Sequence, residues 1–241
     1  MSNLPVEFGA FRAALFDLDG VLTPTAVVHR RAWSRMFNDF LAARGAAPYT
    51  DDDYYAYVDG KPRYDGVRDF LASRGIDLPA GAPSDHPDQQ TVCGLGNRKN
   101  LMFTAVLEEE GVAPYPGSVR LLDYLGTLDI QLAVVSSSAN AEAVLRAAGL
   151  RDRFEVLVDG RVAVEAGLPG KPAPDTYVHA AALLGVAVEA AVVFEDAVSG
   201  VAAGRDGGFG LVVGVDRGAG VELLRSSGAD VVVSDLDELV P

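Results

Sequence analysis

The sequence predicts an α/β protein in which a doubly wound parallel sheet carries an inserted α-helical unit. Short apolar runs recur along the chain, and each ends at Asp, Ser or Glu. Such near-continuous runs are typical of strands that are buried on both faces. Segments with helical spacing separate the runs, and strands that alternate with helices form a parallel sheet covered on both sides. One long interval near the N-terminus has helical spacing without a strand-like run, which indicates the insert.

The predicted strands follow the apolar runs directly. Six runs are predicted to form the sheet: residues 13–16, 130–135, 154–158, 191–194, 211–215 and 229–233. Apolar residues at helical spacing predict helices between these strands at 118–128, 140–148 and 176–184.

Residues 25–112 are predicted to form the helical insert, and residues 1–24 and 113–241 the α/β core. Three amphipathic stripes within the insert indicate helices around 32–41, 67–71 and 101–107. Trp33 lies in the first stripe, so we expect it to pack in a core. The stretch 79–90 is rich in Pro, Gly, Ser and Asp and is predicted to be a surface loop.

The composition is that of a globular protein with a strongly acidic balance. Its 241 residues carry 20 Lys and Arg against 34 Asp and Glu, a formal net charge of −14. This charge repels phosphate backbones and anionic headgroups, so we expect no nucleic acid and no membrane as partner. The single cysteine, Cys93, excludes an internal disulfide and a cysteine-based zinc cage. Without a secretory signal or an apolar stretch of about 20 residues, the sequence predicts a cytoplasmic protein, and it indicates no oligomeric partner.

The first predicted strand runs directly into two carboxylates. Asp17 and Asp19 follow it, and residues i and i+2 of an extended segment point to the same side. Ligands of open α/β sheets bind beyond the carboxyl ends of the strands, where these two side chains would meet. Gly20 permits a sharp turn away from the strand. The alternative is a pair of solvated acids at a strand end, and this motif by itself leaves both interpretations open.

A second acidic pair, Glu195 and Asp196, follows another buried strand and can lie at the same sheet edge. Carboxylates held close together disfavour each other's ionised form unless a cation neutralises them. Mg²⁺ suits such a place because it prefers a few oxygen ligands together with waters and a substrate phosphate. The sequence therefore predicts a Mg²⁺ site here, and the alternative is that the pair caps the next helix.

Two further elements offer partners to a phosphate group. Ser136, Ser137, Ser138 and Asn140 lie where a strand meets a helix, and they present hydroxyls and backbone N–H groups to an anion. Lys171 precedes another helix and can reach inward as a compact point charge. Taken singly, each element has an ordinary alternative: a helix cap for the serines and a solvated loop cation for the lysine.

Together, and in this order along the chain, these elements resemble the haloacid dehalogenase-like superfamily, whose core is a Rossmann-like sheet. The matching motifs are D-x-D-G-x-x-T from Asp17, a hydrophobic run ending at Ser136, the Lys-Pro pair at Lys171, and Glu195 with Asp196. The helical insert also occupies the position of that family's cap domain.

The resemblance implies a phosphotransferase in which Asp17 is the nucleophile and forms an aspartyl phosphate. It implies that Asp19 is the general acid and base. It also implies that Mg²⁺ is held by Asp17, by the backbone carbonyl of Asp19 and by Asp196, with Glu195 in or near the same shell. The residues implied to bind the transferring phosphate are Ser136, Ser137 and Lys171.

Within that superfamily the chain resembles the β-phosphoglucomutase-like subfamily, which acts on sugar phosphates. This resemblance rests on His29, Trp33 and the stretches 60–63 and 98–100. It implies a mutase whose bisphosphate intermediate presents either end to the nucleophile, with Arg63 gripping the phosphate that is not transferred. The further substrate contacts that it implies are Thr25, His29, Lys99, Ser138 and Asn140.

Two positions depart from the pattern of that subfamily. Ala139 stands where a lysine is usual in the S-x-S-K-N stretch, and Pro24 stands where aspartate is common. Losing the lysine removes one cation from the second phosphate site, and a charge-assisted hydrogen bond contributes about 1.5–3 kcal/mol. Lys61 and Arg98 are candidates to replace that cation. The resemblance thus leaves open a phosphatase that hydrolyses a sugar phosphate or a related monoester.

Three other interpretations fit the motifs less well. A 2-haloacid dehalogenase would not use Asp19 and Mg²⁺ in this arrangement. A phosphorylated receiver module carries its acceptor after a later strand and has no helical insert of this size. A non-catalytic scaffold would require every motif to be idle. The sequence leaves open which sugar, and which anomer, the enzyme accepts.

Overall fold

The α/β prediction is confirmed by the structure, a computed structural model that describes residues 6–241. The strands are β1 (Ala13–Phe16), β2 (Gln131–Val135), β3 (Val156–Val158), β4 (Ala191–Glu195), β5 (Leu211–Val215) and β6 (Val231–Val233). They form one sheet in the order β3-β2-β1-β4-β5-β6, and every neighbouring pair is parallel.

The helices lie between and beside these strands. In chain order they are α1 (Thr25–Ala42), α2 (Asp51–Asp53), α3 (Arg63–Ser73), α4 (Val92–Glu110), α5 (Pro116–Gly126), α6 (Ala141–Ala147), α7 (Gly160–Glu165), α8 (Asp175–Leu184), α9 (Val198–Asp206) and α10 (Val221–Ser227). A π-helical segment, Tyr54–Val58, continues α2. The prediction located α5, α6 and α8 to within two residues, whereas the short, glycine-containing or glycine-bounded helices α7, α9 and α10 were not predicted.

The central strand β1 shows why these apolar runs form strands. All four of its residues are buried, because β2 and β4 flank it on either side. Ala13 and Leu15 belong to an apolar cluster with residues of α8 and α9. Side chains alternate between the faces of a strand, so Phe16 lies on the other face, where it stacks on Phe194 with ring centroids 4.5 Å apart.

The chain divides into two compact units. Of the described residues, one unit contains 6–24 together with Val112–Pro241 and holds the sheet; the other is Thr25–Gly111 and is helical. Val112, which the sequence analysis assigned to the insert, therefore groups with the sheet. The segment between α3 and α4, where a surface loop was predicted, contains no helix or strand.

The helical unit has its own aromatic core. Trp33 of α1 is buried and stacks on Phe37 with ring centroids 5.3 Å apart. Phe37 in turn packs against Phe70 of α3 at 4.2 Å. Trp33 is thus a core residue, as its position in an amphipathic stripe predicted. Across residues 6–241, none of the helices combines the length and the apolar character that crossing a membrane would require.

Candidate active site

Three carboxylates from two neighbouring strands meet at the carboxyl edge of the sheet. Asp17 follows β1, Glu195 ends β4, and Asp196 comes next. One oxygen of each residue lies within 4.8 Å of the others, and all three residues are buried. The in-register pairing of β1 with β4, in which Phe16 stands opposite Phe194, brings their ends together.

Lys171 lies inside this acidic cluster. Its Nζ donates to Asp17 Oδ1 at 2.6 Å, to Glu195 Oε1 at 2.5 Å and to the carbonyl of Val135 at 3.1 Å. Burial by itself would lower the pKa of Lys171, but the charges of Asp17 and Glu195 outweigh it and raise that pKa. The ammonium therefore remains charged and contacts Asp17, which the family resemblance implies is the nucleophile.

The surroundings of Asp17 disfavour the ionised form of its carboxyl. Burial raises the pKa of its carboxyl well above the ordinary value, and Lys171 opposes that rise. The nearby carboxyls of Glu195 and Asp19 raise the same pKa further. Lys171 contacts two of the three clustered carboxylates and is the one cation described among them. With all three carboxylates ionised, a divalent cation would balance the two remaining negative charges. The donor set thus fits Mg²⁺.

Glu195 uses both of its oxygens within the protein. Oε1 accepts the bond from Lys171 and a second one from the Tyr177 hydroxyl at 3.1 Å, and Oε2 accepts the Ala197 N–H at 3.0 Å. Glu195 therefore positions Lys171 in addition to bordering the cluster. The sequence analysis did not single out Tyr177, because Tyr177 lies among the buried residues of α8 and has the pattern of an ordinary core residue.

A tight turn packs the first motif against Asp196. Gly20 has φ +91°, a conformation that L side chains rarely adopt, and its N–H donates to the Thr23 carbonyl at 2.8 Å. A Cβ at Gly20 would lie 1.8 Å from Asp196 Oδ2, so only glycine allows this approach. The half-buried Asp19 directly precedes the turn. Gly20 therefore sets the placement of Asp19 relative to Asp196.

Arg217, in the loop after β5, links the turn at Gly20 to other parts of the sheet unit by hydrogen bonds. Its Nε donates to the Gly20 carbonyl at 2.9 Å and its Nη1 to the Ser234 carbonyl at 2.8 Å. Its guanidinium also lies 4.0 Å from the centre of the Tyr115 ring. No local motif surrounds Arg217 in the sequence, which explains why the sequence analysis did not identify it.

We expect Arg217→Ala to lower kcat by about 100-fold while the protein stays folded, because small misplacements of reacting groups cost rates of that order. Steady-state kinetics alongside thermal unfolding would measure both effects. Arg205→Ala is the matched control, since Arg205 also donates to a backbone carbonyl, that of Ser227 at 2.9 Å. Equal activity in the two variants would contradict a positioning role for Arg217.

The serine loop after β2 lies at the same edge of the sheet. Ser136 is buried, its N–H donates to the Val158 carbonyl at 3.0 Å, and its Oγ accepts the Ser138 N–H at 3.1 Å. Ser138 Oγ accepts the Asn140 N–H at 3.2 Å. Ser137, between Ser136 and Ser138, is half-buried. Each accepting hydroxyl can still donate its own hydrogen to an anion.

The other predicted substrate contacts lie in the helical unit. Arg63 begins α3, is half-buried, and donates from Nη1 to Asn97 Oδ1 at 3.3 Å. Lys99 of α4 is buried and its Nζ contacts His29 Nδ1. Thr25, the first residue of α1, is buried as well. The structure therefore brings His29 and Lys99 together, while Arg63 engages a different neighbour.

The two cations suggested as replacements for the lysine missing at Ala139 have other partners in the helical unit. Lys61 Nζ forms an ion pair with Asp69 Oδ2 at 2.6 Å. Arg98 Nε donates to the Pro87 carbonyl at 2.9 Å. The charge of Lys61 is therefore already paired with a carboxylate, whereas Arg98 is bound to a backbone carbonyl of the helical unit.

Comparison with known proteins identifies the family to which this chain is similar. The model of the haloacid dehalogenase-like hydrolase family matches residues 11–208. Over 240 residues the chain is 51% identical to the β-phosphoglucomutases of Mycobacterium bovis and Mycobacterium tuberculosis, covering 95% of this chain and 91% of each relative. It is 32% identical over 184 residues to hexitol phosphatase A of Escherichia coli, covering 76% of this chain and 73% of the relative.

A solved structure shares the fold. The crystal structure of a β-phosphoglucomutase from Clostridium difficile superimposes with a TM-score of 0.76, covering 95% of this chain and 93% of that one. Its identity to this chain is 24%, so the likeness concerns the fold alone.

Proposed function

Because the chain belongs to the haloacid dehalogenase-like hydrolase family and is therefore an enzyme, we propose that it is a Mg²⁺-dependent β-phosphoglucomutase. In this proposal it converts β-glucose 1-phosphate to glucose 6-phosphate through glucose 1,6-bisphosphate. The observation that carries the proposal is the buried cluster of Asp17, Lys171, Glu195 and Asp196 at the carboxyl edge of the sheet. The 51% identity to two β-phosphoglucomutases supports the sugar phosphate as substrate.

The proposed chemistry is carried by Asp17 and Asp19. An oxygen of Asp17 attacks the phosphorus of the substrate, an acyl phosphate forms, and the bond from phosphorus to the sugar oxygen breaks. Asp19 donates a proton to the departing oxygen and later takes one from the hydroxyl that attacks the acyl phosphate. Lys171 offsets negative charge at Asp17 throughout.

Three groups would hold the metal: Asp17, Asp196 and the backbone carbonyl of Asp19, with Glu195 at the border. When bound there, Mg²⁺ supplies positive charge to the phosphate oxygens and lowers the cost of bringing them to Asp17. Ser136, with Ser137, would donate hydrogen bonds to the same phosphate.

A mutase also needs a place for the phosphate that is not being transferred, and we assign Arg63 to it. Its planar guanidinium suits bidentate binding of a phosphate. Its guanidinium contacts the Asn97 side chain and lies 5.4 Å from the centre of the Tyr64 ring, and both neighbours are uncharged, so the charge of Arg63 is available to a ligand. Thr25, His29, Lys99, Ser138 and Asn140 are the further proposed substrate contacts.

Substituting Arg63 by Ala tests this assignment. We expect mutase turnover to fall by about 10- to 100-fold, because a charge-assisted hydrogen bond is lost. Phosphorylation of Asp17 by acetyl phosphate, which has only one phosphate group, should change by less than about twofold. Arg68→Ala is the control, because Arg68 lies on the same helix and pairs with Asp65 at 2.5 Å. Equal loss of both activities would contradict the role given to Arg63.

The second candidate function is a phosphatase that hydrolyses a sugar phosphate or a related monoester. Ala139 and Pro24 favour it, since both depart from the mutase pattern. The relative that is 32% identical is a hexitol phosphatase, which supports the same alternative. Rapid release of free phosphate from many different monoesters would favour this function over the mutase.

A further inference from the structure

Two loops at the carboxyl edge of the sheet unit pack tightly against each other. One follows β2 and contains Ser137, Ser138 and Ala139, and the other follows β3 and leads through Asp159 into Gly160, the first residue of α7. The Gly160 N–H donates to the Ser138 carbonyl at 3.3 Å. A Cβ at Gly160 would lie 2.8 Å from the Ser137 carbonyl oxygen and 3.0 Å from the Ala139 nitrogen. The absence of a side chain at Gly160 therefore lets the second loop lie directly on the first.

This packing places a guanidinium beside Ala139. The buried Asp159 caps α7 by accepting the N–H groups of Arg161 at 2.9 Å and Val162 at 3.0 Å, which fixes the backbone of Arg161. Arg161 Nε then donates to the Ala139 carbonyl at 2.8 Å. The contact joins the start of α7 to the loop after β2, so Arg161 supplies a positive charge beside Ala139.

The rest of this guanidinium is available to a ligand. The Arg161 side chain is 62% exposed, and its nearest carboxylate, Asp159, lies 4.0 Å from Nε. An arginine has five N–H donors, and in the described part of the chain only the one on Nε makes a hydrogen bond. Arg146, on the neighbouring helix α6, is different, because Glu142 pairs with its guanidinium at 2.6 Å.

We infer that Arg161 binds the phosphate that is not being transferred and so replaces the cation lost at Ala139. This inference rests on the proposed mutase function, since a simple phosphatase needs no second phosphate site. Lys171 contacts Asp17, whereas Arg161 contacts the carbonyl of Ala139, the residue between Ser138 and Asn140 in the sequence. Its free N–H donors form a planar fork that matches a phosphate. The ligand is therefore a sugar bisphosphate bound through its second phosphate.

The test compares Arg161→Ala, Arg161→Ala combined with Ala139→Lys, and the control Arg146→Ala. The readouts are the apparent KM for glucose 1,6-bisphosphate in the mutase assay and the rate at which acetyl phosphate phosphorylates Asp17. We expect Arg161→Ala to raise that KM by about 10- to 100-fold and to change the acetyl phosphate rate by less than about twofold. The added lysine should restore most of the affinity, because it returns the charge without restoring the contact between the loops.

The outcomes separate this inference from the proposed function. An unchanged KM in Arg161→Ala, or a raised KM that Ala139→Lys leaves uncorrected, would overturn the phosphate role and leave Arg161 as a link between loops. A parent protein that releases free phosphate and forms no glucose 6-phosphate would overturn the mutase proposal itself, and this inference with it. A KM shift as large in Arg146→Ala would overturn the assignment to Arg161 in particular.

Discussion

Replacing Asp17 by Asn is expected to abolish phosphoryl transfer while the protein stays folded. The amide has the size of the carboxylate but cannot form an acyl phosphate, and removal of a nucleophile lowers turnover by about 10,000-fold or more. Lys171 keeps its pairing with Glu195 in this variant, and burial with the neighbouring carboxyls already raises the pKa of Asp17, so loss of the Asp17 charge should not lower the unfolding temperature. The fold and the chemistry therefore make opposite demands on this residue, as is common at active sites.

The most direct readout of this variant is the covalent intermediate. Parent protein treated with acetyl phosphate and Mg²⁺ should gain one phosphoryl group by intact mass, and hydroxylamine should remove it, as expected of an acyl phosphate. Asp17→Asn should gain none. Asp152→Asn, at an exposed position in the same unit, should behave like the parent. Continued labelling of Asp17→Asn would show that another residue accepts the phosphate.

Replacing Lys171 by Met should have the second large effect, this time on stability as well as activity. Lys171 is 3% exposed and holds Asp17 and Glu195 at 2.6 and 2.5 Å. Removing one member of a buried ion pair leaves uncompensated charge inside the protein and costs about 3–5 kcal/mol. We therefore expect the free energy of unfolding to fall by about that amount and catalytic turnover to be lost.

Lys61→Met is the matched control for this prediction. Lys61 pairs with Asp69 at 2.6 Å, a distance like those at Lys171, but the two side chains are 22% and 42% exposed. Surface ion pairs contribute about 0–1 kcal/mol, so this variant should unfold almost like the parent. Denaturant unfolding would measure both. A similar loss of stability in the two variants would show that the buried lysine does not hold the acidic cluster together.

The parts of the site that the sequence predicted are those with a local signal. Asp17, Ser136 and Glu195 each come at the end of an apolar run, and a run of that kind predicts a strand without knowledge of the rest of the chain. Parallel strands bring their carboxyl ends to one edge, so the sequence could also predict that these residues lie near one another. The structure places Asp17, Glu195 and Asp196 within 4.8 Å of one another at that edge.

The parts that the sequence did not predict depend on contacts between distant segments. Arg217 donates to Gly20 across 197 positions, and nothing near either residue encodes that pairing. Arg161 lies 22 positions from Ala139 and reaches it only because Gly160 lets two loops touch. Tyr177 looks like core packing until its hydroxyl is seen to bond Glu195. Side-chain direction and loop packing decide each of these cases, and both are set by the assembled fold.

One assay tests the central proposal most directly. The protein is given β-glucose 1-phosphate, Mg²⁺ and a trace of glucose 1,6-bisphosphate, and glucose 6-phosphate and free phosphate are followed in the same tube. A β-phosphoglucomutase should produce glucose 6-phosphate with little free phosphate, and Asp17→Asn should produce neither. Free phosphate that rises in step with the loss of substrate, without glucose 6-phosphate, would contradict the mutase and establish a phosphatase instead.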